Sequence, residues 1–394
     1  MAVGTLACST PSPEEKSAPK APPVAGGEPL GVQRLEDILV GSSYLGCGGG
    51  GGLAPARELI ASELAAGFSF RQIPVSDLAD DAWVASAYAL ASLAPMSETM
   101  AAQLEAAGVD APVEEAFRAL ERHLDVSFGA IILGEIGPLS LAEGLSIAAR
   151  LGIPSLDADT VGRATPEINQ HSVRVAGEPL VPAAAVSAFG DEIVLRQVLD
   201  PSREEVVFRT LSEVSRLLGV ADAPLTGDKA KRPGVLVQGS VTLAENIGRA
   251  VREARAAGKD PVDAGRAAAD GYRVFDGSVA AFEWRDEDGF LQGAVEVEGT
   301  GDFAGRALQL EVKNEHLVAR RDGEVIATCP DLISLIDRDT AEGLGNPDFE
   351  RGQSVTALAF RCDPLWRTPA GLEVFSPRYF GYDVDYLPVE DRLA

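Results

Sequence analysis

Seven consecutive residues, Gly46-Cys47-Gly48-Gly49-Gly50-Gly51-Gly52, include six glycines, and no other segment restricts the chain as much. Glycine loses more backbone entropy on folding than any other residue, so this run does not serve stability. Its uses are positive φ or close approach of the backbone to another group. A helical pattern over residues 35–40 precedes it, and another over 56–66 follows Pro55. N–H groups in such a loop, feeding a helix N-terminus, can hold an anion or a developing oxyanion. Gly48, Gly49, Gly50 and Gly51 are therefore candidate substrate-binding residues. The run is not a phosphate P-loop: no Gly-Lys-Ser/Thr follows, and the next basic residue is Arg57. It is not a dinucleotide fingerprint, since a helix rather than a strand precedes it. The plainer alternative is a tight helix–helix connection.

Cys47 sits inside the run. Nearby amides and a helix N-terminus would lower its pKa and favour the thiolate, making it a nucleophile or a soft metal ligand. The other reading is a small buried residue chosen for its size.

Further along, segments with strand and helix character alternate. Strands are expected over residues 70–75, 83–89, 130–133 and 153–156, and helices over 114–124 and 140–151. This reads as an α/β layered domain over 33–199. Helices over 204–218 and 243–257 flank a short strand at 235–237, and from Tyr272 short strands dominate. Residues 200–394 are thus expected to be a smaller β-rich (α+β) domain. Residues 1–32, rich in Pro, Ser, Ala and Gly, read as a disordered lead-in.

The acidic balance narrows the partners. With 34 Lys and Arg against 60 Asp and Glu, the net charge is −26, which argues against nucleic acid and anionic membrane surfaces. No apolar run approaches the ~18 residues of a spanning helix, so membrane insertion is not expected. Four cysteines without a CxxC pair fit a reducing, cytoplasmic setting. Leu6-Ala7-Cys8 resembles the end of a lipoprotein signal whose basic and apolar parts are missing, so a lipid-anchored exported form is the alternative. Nothing in the sequence sets the oligomeric state; a homo-oligomer stays open.

Two more groups carry chemistry. Asp157-Ala158-Asp159, Gly162-Arg163-Ala164 and Pro166-Glu167 follow the strand expected at 153–156. Carboxylates at the carboxyl end of a strand in an α/β sheet lie where ligands bind. Glu135, just after the strand at 130–133, has the same placement. The bland alternative is a structural Arg–carboxylate network. In the β-rich half stands Asn314-Glu315-His316. On a strand, Asn314 and Glu315 point to opposite faces, and His316 shares the face of Asn314. There is no Gly-x-Ser-x-Gly elbow and no His-Glu-x-x-His.

Five segments occur in one order: Leu45 to Gly51, Asp157 to Glu167, Asn314-Glu315-His316-Leu317, Pro330-Asp331-Leu332-Ile333, and Ser376-Pro377-Arg378-Tyr379-Phe380-Gly381-Tyr382. Together they resemble the S-methyl thiohydantoin desulfurase family, over about Leu35 to Tyr386. His316 departs from the family's Asn-Glu-Asn-Leu pattern. The resemblance implies an N-terminal α/β and a C-terminal β-rich domain. It also implies hydrolysis of the C–S bond of a small-molecule heterocycle, an S-methylated thiohydantoin or a related cyclic amidine or imide, giving a hydantoin and methanethiol. In that chemistry water, activated by Asp159 or Glu135 or by a divalent metal such as zinc, would attack the carbon bearing sulfur. Arg163 would pair with a substrate anion or orient the base, or Cys47 would attack first. The catalytic candidates are Cys47, Glu135, Asp157, Asp159, Arg163 and Glu167. Asn314 and Glu315 join the glycines in binding, and Cys47, Asp159 and His316 are the candidate metal ligands. Two other functions remain: a non-catalytic hydantoin-binding partner of a hydantoinase-like complex, and a ring-opening cyclic amidohydrolase.

Overall fold

Ala130 to Leu133 are four consecutive apolar residues, all fully buried. This is the mark of a parallel strand covered on both faces, and Phe128–Leu133 is such a strand. The computed structural model describes residues 26–91, 98–107, 109 and 111–393. The tail, including Cys8, lies outside the described residues as far as residue 25. Glu28–Pro29 already pairs with Arg71 and Gln72, and the first helix, Val32–Leu45, begins ahead of its expected start.

Among the described residues the first sheet has nine strands. Arg71–Ile73, Ser155–Asp159, Phe128–Leu133 and Trp83–Ala91 run parallel in that order. Leu217–Thr226, Ala183–Ser187 and Glu192–Leu195 extend it antiparallel beyond Trp83–Ala91. Helix Pro112–Leu124 covers one face with Val113, Ala116, Phe117 and Leu120, spaced as an apolar helical stripe requires. Proline at its start, Glu114 and Glu115 in the first turn, and Arg122 and His123 in the last complement the helix dipole.

The helix expected over 204–218 ends sooner, as Arg203–Ser215. Arg216 takes a positive φ of 69°, and the chain turns into the strand Leu217–Thr226. The sheets therefore do not divide the chain at residue 200. Strand Leu217–Thr226 joins the first sheet, and helix Ser240–Ala256 packs on Val32–Leu45, where Arg252 meets Asp37 at 2.8 Å.

The second sheet starts at Tyr272 and has seven antiparallel strands. In spatial order they are Glu324–Thr328, Glu315–Arg321, Ala307–Lys313, Phe290–Gly299, Tyr272–Glu287, Ser354–Phe360 and Leu332–Asp337. It curls into a half-barrel: His316 Nδ1 lies 3.0 Å from the Ile333 carbonyl, which joins its second strand to its last. Leu39 and Leu45 of the first helix share one core with Leu317, Leu332 and Ile336 of this sheet. The helical layer is thus packed against both sheets. Among the described residues no helix is long and apolar enough to cross a membrane.

Candidate functional site

The glycine run is strapped between the two halves by its own carbonyls. Cys47 O accepts from His316 N at 2.8 Å and Gly48 O from Asn346 N at 2.7 Å. Gly50 O accepts from Leu139 N at 2.9 Å and Ser140 N at 3.1 Å, capping helix Pro138–Leu151. Among the described residues, the N–H groups of Gly48, Gly50 and Gly51 have no acceptor. The run borders a cavity of about 300 Å³, whose wall also includes Glu135, Glu143, Glu167, His171, Asn314 and Glu315.

Three carboxyls at the cavity, half-buried Glu135 and Glu143 and buried Glu315, differ in how they are held. Glu135 accepts from Ser140 Oγ at 2.8 Å and from Thr165 N at 2.9 Å. Burial raises its pKa, and those two donors pull the other way. Glu315 is raised well above the usual range, first by burial and then by Glu135. Among the described residues its Oε2 is buried without a partner, and Oε1 lies against Gly49. Glu143 is pushed up to about 7, mainly by burial. A buried carboxyl without donors keeps its proton, whereas one with two donors gives it up more readily.

The expectation that only one of Asn314 and Glu315 faces the site is corrected. Asn314 takes φ 55°, which breaks the pleat just before strand Glu315–Arg321 starts, and both residues border the cavity. His316 is fully buried away from it, with Nε2 3.2 Å from Asn346 Oδ1.

Other expected residues do different work. Cys47 is 0% exposed and is not part of the cavity wall. Burial raises its thiol pKa instead of lowering it, and Sγ donates to Leu45 O at 3.3 Å. Asp157 and Asp159 lie within strand Ser155–Asp159 rather than past its end. Asp157 caps the helix at Thr242, accepting from its N at 2.9 Å and Oγ1 at 2.6 Å. Asp159 Oδ2 accepts from Val161 N at 2.9 Å and Gly162 N at 2.6 Å, tying its own turn.

Arg163 spends its guanidinium on main-chain carbonyls: Ala164 at 2.9 Å, Asp331 at 2.8 Å, Pro330 at 3.2 Å and His316 at 3.3 Å. It is fully buried over the Phe375 ring and does not border the cavity. Glu167 does border it. Burial pushes its carboxyl up, but Lys313, Tyr379 Oη at 2.5 Å and Asn169 Nδ2 at 3.3 Å together hold it below the usual value.

Cys47, Asp159 and His316 do not fit a metal. Both ring nitrogens of His316 already face oxygens, and the Cys47 thiol is bonded to main chain. Among the described residues no group of three or more His, Cys, Asp or Glu side chains could hold an ion.

Several wall residues escape a reading of the sequence. Arg209 borders the cavity, bonded to Glu205 Oε1 at 2.8 Å and Pro166 O at 2.9 Å and stacked 4.4 Å from the Phe290 ring centre. Glu143 lies one helical turn beyond Ser140, a spacing that the sequence does show. His171 and Tyr88 also border the cavity, and only the fold reveals that they share it.

Two family descriptions match the chain. The S-Me-THD-like N-terminal domain matches residues 33–197 and the S-Me-THD-like C-terminal domain residues 200–389. Among solved structures, an X-ray crystal structure of a protein from Chromobacterium violaceum is similar at 22% identity and TM-score 0.71, covering 92% of this chain and 100% of that one. At that identity the likeness speaks for the fold. No curated protein matches the chain.

Proposed function

The chain belongs to the S-Me-THD-like family, and on that premise we propose that it hydrolyses an S-methyl thiohydantoin or a related cyclic amidine or imide, releasing a thiol and a hydantoin. The observation that carries this reading is the pair of carboxyls, half-buried Glu135 and buried Glu315, bordering one cavity with the glycine run. Their environments differ, which is how one site supplies an acid and a base at the same pH. A cavity of about 300 Å³ is at the small end of ligand pockets and suits a five-membered heterocycle.

In this reading Glu315, whose Oε2 has no partner among the described residues, is the protonated acid, and Glu135, with one side-chain and one main-chain donor, is the base. Glu135 takes a proton from water as the water oxygen bonds to the carbon bearing sulfur. The C=N electron pair moves to the ring nitrogen, which takes the Glu315 proton. In the second half the new hydroxyl gives its proton to Glu315 and C=O forms. The C–S bond breaks with its pair going to sulfur, and Glu135 returns its proton to give methanethiol. Both carboxyls end as they began. The free N–H groups of Gly48, Gly50 and Gly51 supply donors for charge developing on oxygen.

The test is a free-thiol assay on S-methyl thiohydantoin with product identification. One thiol per hydantoin supports the reading. Binding without turnover favours a hydantoin-binding partner, and a new free carboxylate without thiol favours ring opening.

A further inference from the structure

Four glutamates border the cavity, and two of them, Glu143 and Glu167, take no part in the acid–base chemistry above. Glu167 is spent on Lys313, Tyr379 and Asn169. Glu143 is not spent on anything. Among the described residues no hydrogen-bond donor and no cation meets its carboxyl, and the charge it feels is that of Glu135. Neither of its oxygens is among the sealed atoms that lack a partner, in contrast to Glu315 Oε2. The Glu143 oxygens therefore reach open space, and the space this residue borders is the cavity.

Its helix aims it there. In Pro138–Leu151, Glu143 follows Leu139 by four residues and Ser140 by three, so the three side chains share one face. Leu139 and Ser140 are wall residues too: Leu139 lies against Gly51, and Ser140 Oγ donates to Glu135 at 2.8 Å. Three residues of helix rise about 4.5 Å. Glu143 thus stands one turn beyond the group that holds the base. A carboxyl that loses hydration without gaining a donor is costly to keep. It accepts an N–H through its carbonyl oxygen with or without a proton of its own.

A ring carbon that bears sulfur between two nitrogens has two tautomers, with the hydrogen on one nitrogen or on the other. Resting on the function proposed above, we propose that Glu143 accepts the N–H of the second ring nitrogen, the one that Glu315 does not protonate, and so selects the tautomer whose C=N is turned toward Glu315. The substrate class is thereby narrowed to heterocycles that keep a hydrogen on that nitrogen.

The probes are hydantoin, 1-methylhydantoin and 3-methylhydantoin, each lacking or keeping one particular ring N–H. They are titrated by calorimetry into the wild type, Glu143→Leu and Glu143→Gln, and thiol release from S-methyl thiohydantoin is measured on the same wild-type protein. The wild type is expected to bind hydantoin and one methylated isomer alike, and the other isomer about tenfold more weakly, the effect of one lost hydrogen bond. In Glu143→Leu hydantoin binding is expected to fall about tenfold to the level of that isomer, closing the gap. Glu143→Gln keeps a carbonyl acceptor and is expected to keep the gap. A purely structural role would lower all three affinities together and leave the gap in place. Equal binding of the three probes by the wild type, or a gap that persists in Glu143→Leu, overturns this inference, and thiol release then leaves the proposed hydrolysis standing. No hydantoin binding at millimolar concentration together with no thiol release overturns both.

Discussion

Gly49 and Glu315 compete for one space: a Cβ at residue 49 would lie 1.8 Å from Glu315 Oε1. The glycine run comes from the helical layer and the carboxyl from the curled sheet, so this contact locks the two halves at the cavity. Gly49→Ala is expected to displace Glu315, destabilise the protein by roughly 1–3 kcal/mol and suppress thiol release. Denaturant melts and turnover measured together check this, and a variant equal to wild type in both would contradict it.

Cys47→Ser separates the nucleophile from the structural residue. The thiol is buried, its pKa is raised, and it stands outside the cavity wall. The expected result is turnover within a few-fold of wild type, with a stability loss of about 1 kcal/mol for burying a hydroxyl. Near-complete loss of turnover in a folded variant would restore the covalent route.

Arg163 is expected to act on stability rather than on substrate affinity. Removing its guanidinium in Arg163→Met leaves four buried carbonyls short of a donor, at a cost of roughly 3–5 kcal/mol. A variant of normal stability with a raised KM would instead return Arg163 to the role of anion partner.

Stability should be greater in mild acid than in mild base. Glu143 and Asp159 keep their protons in the folded state to about 7, and Glu204 is raised above the usual range as well, mainly because burial penalises their charged forms. Unfolded, they lose them near ~4. Across that window the folded state binds more protons, so stability falls as pH rises. His316, pushed down to about 4 by burial, acts oppositely: its contribution is whole above ~6.5 and is lost as pH falls to about 4. Between pH ~5.5 and ~8.5 the three carboxyls outweigh the one imidazole, and the net charge of −26 adds repulsion at the basic end. Calorimetry should find a melting temperature several degrees higher at pH 5.5, and the reverse order would contradict these assignments.

Short-range signals made part of this site legible. The glycine run and the strand Phe128–Leu133 followed by Glu135 stand out because glycine density and continuous burial are visible in the chain itself. Glu315 was found beside Asn314, but the alternation rule failed there, since it presumes regular pleating and Asn314 sits at φ 55°. Asp157 and Arg163 have the residue types of an active site, yet their partners, Thr242 and the carbonyls of Asp331 and His316, are far away in sequence. Strand Leu217–Thr226 was hidden because its first two leucines continue a helical pattern, and only Arg216 at positive φ ends it. Its Asp222 meets the Oη of Tyr88, which borders the cavity, through that strand's place beside Trp83–Ala91, a pairing without local trace.

Methanethiol release from S-methyl thiohydantoin, compared between the wild type and Glu315→Gln, tests the two-carboxyl site most directly. An acid–base pair predicts one thiol per hydantoin from the wild type and a loss of roughly 10²–10⁴-fold in the folded variant. Equal rates in the two proteins, or hydantoin binding by the wild type without any thiol from the S-methylated ring, would contradict it.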